Sequence, residues 1–225
     1  MPRLNMFGCL VVFLLSISNV AQAGVVVGAT RVIYDGKKKE ASISVANADK
    51  STPFLIQSWF EVDEGVHQET LPFIITPPLF RLDVGRENIL RIVRVGNQLP
   101  KDREAVYWLN IKSIPATEES TLNKLQISVK TRIKLFYRPV GLPGNANEAH
   151  KLLVFSKNNG RLIATNPTPY HISFFKINIG SEEIKDVGMV EPFSTREWAI
   201  PDGSAGDISW QSINDYGGIT DMVKQ

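Results

Sequence analysis

The chain has 225 residues, of which 43% are hydrophobic and 21% charged, and its formal net charge at pH 7 is +2. This composition predicts a folded chain with one or two cores, and the near-neutral charge argues against a dedicated nucleic-acid binder. A single cysteine excludes a disulfide framework.

The first 23 residues predict a secretory signal peptide. Arg3 supplies the positive start, the apolar run over Met6–Ile17 is too short to span a bilayer, and Ala21-Gln22-Ala23 fits a small-x-small cleavage site. An uncleaved anchor is disfavoured because polar residues interrupt the run and no second hydrophobic segment follows. Cys9 lies in the signal, so we expect a mature chain from Gly24 that is exported to the periplasm and folds without disulfides.

The first half of the mature chain shows the period-two alternation of β-strands and no convincing helical periodicity. We predict strands over Val25–Tyr34, Ala41–Val45, Phe54–Val62, Glu87–Val95, Glu104–Ile114 and Leu125–Pro139. Strands of this spacing with turn residues between them predict an immunoglobulin-like β-sandwich over residues 24–140.

The last of these strands is the most informative segment. It is about twice the usual strand length. Its two faces differ, with Leu125, Ile127, Val129 and Ile133 on one side and Lys130, Arg132 and Lys134 on the other. From this segment alone, an ordinary strand packing on its own core is the simpler interpretation, but a long strand with an apolar face can also recruit a partner's strand.

A breaker-rich stretch at 141–147 predicts a linker, after which strand signals resume. Asn159-Gly160 predicts a type I′ hairpin turn between strands over Leu152–Ser156 and Arg161–Thr165. Further predicted strands cover Tyr170–Ile179, Ser194–Ile200 and Asp207–Ile213. We therefore predict a second, smaller β-sandwich over residues 148–225.

Catalytic and metal-binding signals are weak. His67, His150 and His171 show no metal-ligand spacing, and the acidic residues Glu61, Asp63 and Glu64 are more simply a solvated loop cluster. The sequence contains no P-loop, nucleophile elbow or dinucleotide fingerprint. We expect no enzymatic activity, no catalytic residue, no metal or other cofactor, and neither nucleotide nor nucleic acid as a partner.

Five blocks of the mature chain resemble the signature blocks of the periplasmic pilus (fimbrial) assembly chaperones of the chaperone–usher pathway, in the order that family has them. They are Arg31–Gly36, Thr76–Leu82, Leu125–Pro139, Asn166–Tyr170 and Ile213–Gly218. The resemblance implies an all-β chain of two immunoglobulin-like β-sandwich domains in an L-shaped arrangement. It implies a chaperone that binds, folds and caps fimbrial subunits and delivers them to an outer-membrane usher. Self-association through the donor strand is a further expectation when no subunit is bound.

The resemblance also implies how a subunit is held. Leu125, Ile127 and Val129 match the donor-strand residues that complete a subunit lacking its last strand. Arg31 and Lys134 match the positions that bind the subunit's C-terminal carboxylate. Because Lys134 has the opposite strand parity from Leu125, we expect a bulge or twist to direct it into the cleft.

Glu104, Arg138 and Asp215 match a family ion network that bridges the two domains, with Arg81 assisting. Thr76-Pro77-Pro78 resembles a family site with a cis-proline, and the sequence leaves the isomer open. The alternative function is an extracellular adhesive or ligand-binding β-sandwich module whose cleft holds a small anionic ligand. A bound partner lacking its last strand would distinguish the two.

Overall fold

The computed structural model describes residues 24–62, 71–96, 98–117 and 125–225. The predicted signal peptide with Cys9, together with His67 and the loop carboxylates Asp63 and Glu64, lies outside the described residues. Within the described part of the chain no helix is long and apolar enough to cross a membrane, and the helical element there is a short 3-10 turn at Ala149–Leu152. The prediction of an all-β chain with two sandwich domains is confirmed.

The first domain packs two sheets face to face. Its strands are β1 (Val25–Val27), β2 (Arg31–Asp35), β3 (Glu40–Asn47), β4 (Phe54–Glu61), β5 (Phe73–Thr76), β6 (Leu79–Leu82), β7 (Glu87–Arg94), β8 (Ala105–Pro115) and β9 (Val129–Arg138). One sheet has the order β1-β3-β7-β5 and the other β2-β9-β8-β4-β6, with β2 and β9 parallel and the remaining pairs antiparallel. Alternate side chains from both sheets, among them Val45, Leu90, Leu109 and Leu135, are fully buried between them.

The single strand predicted over Val25–Tyr34 is two strands in different sheets. β1 pairs with β3, and β2 pairs with β9. The chain changes sheet at Gly28, whose N–H donates to the Ser44 carbonyl at 2.9 Å. A Cβ at Gly28 would lie 2.3 Å from the Ser44 hydroxyl oxygen, so a larger residue there would need that hydroxyl to move.

Strand alternation does not predict β5 and β6, although β6 lies within the block Thr76–Leu82 and β5 ends at its first residue. They are short, and the Thr76–Pro77 peptide bond between them is cis. Period-two alternation is hard to detect over four residues, which is why these strands were missed.

The strand predicted over Leu125–Pro139 is shorter in the structure, where β9 begins at Val129 and ends at Arg138. Pro115 at the end of β8 has no N–H to continue the ladder, and the next amide, of Ala116, donates to the Pro53 carbonyl at 3.0 Å. Residues 125–128 therefore lie outside the regular ladder. Pro139 ends the strand on the other side for the same reason.

The second domain has its own two sheets and core. Its strands are β10 (Val154–Asn158), β11 (Arg161–Thr165), β12 (Ile172–Ile179), β13 (Glu182–Glu183), β14 (Met189–Val190), β15 (Thr195–Ala199), β16 (Ile208–Ser212) and β17 (Val223–Lys224). One sheet is β10-β11-β15 and the other β13-β12-β16-β17, with β14 also pairing with β12. The hairpin prediction is confirmed, since Asn159 and Gly160 join β10 to β11 with φ of 49° and 72°. Leu162, Ile177 and Trp210 are among the buried core residues.

Candidate partner-binding site

The two edges of β9 are occupied over different lengths. On one side β8 pairs with β9 from Val129 to Tyr137. On the other side β2 pairs only with residues Lys134 to Arg138. Among the described residues no strand lies along the second edge over Val129–Ile133, which we call the open edge. Such an edge presents backbone hydrogen-bonding groups to an added strand.

The apolar side chains beside the open edge are uncovered. Leu125 is 89% exposed, Ile127 67% and Val129 58%, whereas Ile133, the next apolar residue of the same face, is 7% exposed and belongs to the core. Three large apolar side chains at alternate positions therefore point to no covering group within the described chain. Exposed apolar residues clustered in this way mark interaction sites.

Arg31 and Lys134 lie side by side where the open edge ends. They are register partners in the parallel β2–β9 pair. A guanidinium N–H of Arg31 (Nη1) donates to the Ile213 carbonyl of the second domain at 3.0 Å, and its Cζ lies 5.6 Å from the centre of the Phe136 ring. Burial lowers the pKa of Arg31, although the charges of Asp215 and Glu104 oppose this. An arginine remains charged at neutral pH under such a shift.

The bulge expected before Lys134 is absent from the described strand, because β9 pairs with β8 residue for residue from Val129 to Tyr137. Ile133 and Leu135 face the core, so Lys134 faces the opposite side of the sheet. Phe136 shares that side, and its ring centre lies 5.8 Å from that of His171 in the second domain. Regular alternation therefore places Lys134 on the face that meets the second domain.

Arg138 joins two carboxylates from different domains. Its Nε donates to Glu104 Oε1 at 2.7 Å, and its Nη1 and Nη2 donate to the two carboxylate oxygens of Asp215 at 2.7 and 2.8 Å. Burial disfavours the charged form of Arg138, but the hydrogen bonds and charges of Asp215 and Glu104 outweigh it and raise the pKa above its usual value. The bidentate pair fixes orientation as well as distance.

Arg81 does not join this cluster in the structure. It lies on β6, three strands from β9 in the sheet order. Its Nε donates to Asp83 Oδ1 at 2.7 Å, and its side chain is 70% exposed. Sequence position alone could not show that this strand forms the far edge of the sheet.

Other residues of the interdomain contact were not predicted. The backbone N–H of His171 donates to Glu104 Oε2 at 2.9 Å, and the Glu104 side chain is only 2% exposed. The Tyr170 ring lies 5.5 Å from the Arg138 guanidinium carbon, and Asn147 Oδ1 accepts the Asp215 N–H at 3.2 Å. The sequence signal for these residues is the block Asn166–Tyr170, but only the fold shows that this block lies beside Arg138.

The block Ile213–Gly218 forms a tight turn against the first domain. Asn214 Oδ1 accepts the N–H groups of Tyr216 and Gly218 at 3.0 and 2.9 Å. Gly217 has a φ of 82°, and a Cβ there would lie 2.5 Å from the Thr30 hydroxyl oxygen. The positive φ favours glycine at this position, and the turn presents Asp215 to Arg138.

Two family models match the chain along nearly all of the described residues. Residues 24–143 match the N-terminal domain of the PapD pili and flagellar-assembly chaperones, and residues 148–224 match the C-terminal domain of the PapD pili assembly chaperones. The chain belongs to the PapD family of pili assembly chaperones. This family relationship is what the five sequence blocks indicated.

The names of similar proteins agree with this family assignment. The chain is 46% identical over 209 residues to the probable fimbrial chaperone LpfB of Escherichia coli O157:H7, covering 91% of this chain and 89% of LpfB. It is 38% identical to the chaperone FimC of Escherichia coli K12, covering 95% and 88% of the two chains. A chain of the Salmonella enterica SafA pilin–SafB chaperone complex superposes with a TM-score of 0.82 at 33% identity, covering 92% of this chain and 98% of that one.

Proposed function

We propose that this PapD-family chain is a periplasmic chaperone that caps fimbrial subunits by donor-strand complementation. The observation that carries the proposal is the open edge of β9, bordered by uncovered apolar side chains and ending at a pair of cations. An incomplete subunit needs the open edge because its sheet lacks a strand, and it needs the apolar side chains because its core lacks those of that strand.

The geometry sets the direction of the bound strand. Beyond Lys134 the edge of β9 is already occupied by β2, so a subunit strand that ends at Arg31 and Lys134 must extend the other way, along Val129–Ile133. Its C-terminus then points the same way as that of β9, and the two strands are parallel. Leu125, Ile127 and Val129 enter the subunit groove, where each buried side chain contributes about 1.5–3 kcal/mol before ordering costs.

Arg31 and Lys134 hold the subunit's terminal carboxylate in this proposal. The carbonyl of Ile213 and the ring of Phe136 orient the Arg31 guanidinium, while the Lys134 ammonium lies 5.4 Å from the centre of the Trp108 ring. Charge-assisted hydrogen bonds from two cations to one carboxylate are stronger and more directional than neutral ones. The anchor therefore sets the register of the added strand.

Glu104, Arg138 and Asp215 brace the domains in this proposal. A change of domain angle would move Arg31 relative to Ile213 of the second domain, so the brace acts on binding through the anchor. The domain assignment is likewise proposed, with a signal peptide at 1–23, the donor-strand domain at 24–140, a linker at 141–147 and the second domain at 148–225.

Delivery to an outer-membrane usher completes the proposed cycle, with release when a neighbouring subunit's extension replaces β9. The chain acts without catalysis or cofactor in this proposal, and with neither nucleotide nor nucleic acid. When no subunit is bound, the open edge allows self-association.

The alternative, a module that holds a small anionic ligand between the domains, is less well supported. The space enclosed beside Arg31, Phe136 and Asp215 is about 20 Å³, enough for little more than one water molecule. A terminal carboxylate on an extended strand can approach from the side of the open edge, but a whole ligand does not fit within that space.

Capture from the periplasm tests the function. The tagged chain is expressed in a fimbriated enterobacterium, recovered from the periplasm and analysed by mass spectrometry. We expect stoichiometric recovery of fimbrial subunits that lack a final strand, at a reduced level for subunits whose last residue is deleted. Recovery of the intact chain with no subunit, or with carbohydrate or small anions only, would overturn the proposal.

A further inference from the structure

The outer face of the larger sheet of the first domain carries a regular array of cations next to the open edge. The pairing of β4, β8 and β9 places nine outward-facing side chains in three rows. The rows are Gln57–Lys112–Lys130, Trp59–Asn110–Arg132 and Glu61–Trp108–Lys134. We call this array the basic face.

Positive charge on the basic face is concentrated toward β9. Four of the nine residues are cationic, and Glu61 on β4 is the one carboxylate. Lys112 and Lys130 are direct register partners on neighbouring strands. Like charges placed directly opposite each other in a sheet are destabilising, so this pair is unfavourable for the free chain unless an anion lies nearby.

Two tryptophans of the array lie next to its cations. The Lys130 ammonium lies 5.7 Å from the centre of the Trp59 ring, and the Arg132 guanidinium carbon lies 4.1 Å from that of Trp108. Glu61 accepts the Trp59 indole N–H at 2.8 Å, and this hydrogen bond, with the charges of Lys130 and Arg132, lowers its pKa. Arg132 Nε is 3.9 Å from Glu61 Oε2, so the carboxylate lies at the edge of the cationic rows.

We propose that the basic face selects subunits whose last strand carries acidic side chains on its outward-facing side. The inference rests on the proposed function, because a subunit strand on the open edge forms the next column of the array beside Lys130 and Arg132. The inward-facing side chains of that strand point into the subunit core, which the donor residues of this chain also enter. Its outward-facing side chains lie within cross-strand distance of Lys130 and Arg132. Glutamate is long enough to reach cations that lie back over the indoles.

Strand peptides test this selectivity. The probes are fluorescein-labelled ten-residue peptides with valine at inward-facing positions, a free C-terminal carboxylate, and two outward-facing positions near the C-terminus occupied by glutamate, serine or lysine. Binding is measured by fluorescence anisotropy in 20 mM and 1 M NaCl. We expect the glutamate peptide to bind about 2- to 30-fold more tightly than the serine peptide in low salt, and the lysine peptide to bind most weakly. The differences should shrink in 1 M NaCl, where screening acts within about 3 Å.

Variants of the chain identify the surface responsible. Lys130→Gln with Arg132→Gln should remove the preference for glutamate, while Arg91→Gln, an exposed arginine on the other sheet of the same domain, should preserve it. Thermal melts confirm folding of each variant. Equal binding of all three peptides, or a preference that survives the double substitution, overturns the inference and leaves the proposed function standing. Failure of every peptide to bind, although each carries a free C-terminal carboxylate, overturns both.

Discussion

Along β9, the half from Val129 to Ile133 and the half from Lys134 to Arg138 differ in what lies along the edge away from β8 and in how far their side chains are covered. The second half has strands on both edges, and Leu135, Phe136 and Tyr137 are at most 6% exposed. The first half has a strand on one edge among the described residues, and the apolar side chains at and before its start are uncovered.

This contrast shows how one strand can serve both a stable fold and an exchangeable interface. The second half carries Arg138 and its interdomain partners, so it is fixed by groups of this chain. Among the described residues, the first half has no strand along its second edge and exposed apolar side chains at its start, and an added strand can cover both. Lys134 and Arg31 lie at the boundary, where a carboxylate can mark the end of the added strand.

Removal of either cation at the boundary should have the largest effect on binding. We expect Arg31→Ala or Lys134→Ala to abolish subunit recovery and to leave the chain folded, because loss of one partner of a desolvated charge pair typically costs ~2–5 kcal/mol. Co-purification from periplasm and thermal melts measure the two effects. Arg81→Ala, an exposed arginine of the same sheet paired with Asp83, is the matched control. Undiminished capture by both cleft variants would contradict the anchor assignment.

A charge among the donor residues should weaken binding severely without affecting the fold. Ile127 is 67% exposed in the free chain, so Ile127→Asp should leave the melting temperature unchanged while placing a carboxylate in the apolar subunit groove. Ser128→Asp points to the other side and should be milder. Equal losses of subunit capture for the two variants would show that the predicted alternation does not apply to residues 125–128.

The fixed half of β9 is tested through Asp215→Asn. The Arg138 and Asp215 side chains are 23% and 22% exposed, so we expect a loss of about 1–3 kcal/mol of stability, below the ~3–5 kcal/mol typical of a fully buried pair. Small-angle scattering should also show a broader range of domain angles, and subunit capture should fall. Asp83→Asn, which removes the exposed partner of Arg81, is the control. Normal melting, scattering and capture in Asp215→Asn would show that the network does not brace the domains.

Acidity should destabilise the second domain through His150. Burial lowers the pKa of His150, which is 3% exposed, below the ~6.5 of an unfolded chain. As the pH falls through about 6.5 the unfolded state therefore takes up a proton first, and stability decreases. Melts from pH 7.5 to pH 5 should show a smaller decrease for His150→Gln. The same pH dependence in both proteins would assign the effect to another group.

Strand alternation predicted most of the fold because each sheet buries one face. Tyr107, Leu109 and Ile111 follow period two and are buried. Asn159 and Gly160 are residue types that readily adopt the positive φ angles of their turn. The sheet change at Gly28 escaped prediction because the residues on both sides favour strands, and only contact with Ser44 separates them.

The candidate site was predictable only where a block already matched the family. Glu104, Arg138 and Asp215 come together as that resemblance implied, since three distant segments meet at the domain contact. Arg81 lies elsewhere, and His171, Tyr170 and Asn147 were not predicted, because strand order and domain contact are tertiary properties that short sequence patterns do not encode.

Hydrogen exchange along β9 tests the central claim most directly. Amides of residues 125–133 and 134–138 are compared by mass spectrometry in the free chain and in its complex with fimbrial subunits recovered from periplasm. We predict that residues 134–138 are protected in both states. Within residues 125–133, the amides that do not bond to β8 should exchange readily in the free chain and gain strong protection in the complex. Unchanged exchange over 125–133 in a stoichiometric complex would contradict donation of this strand.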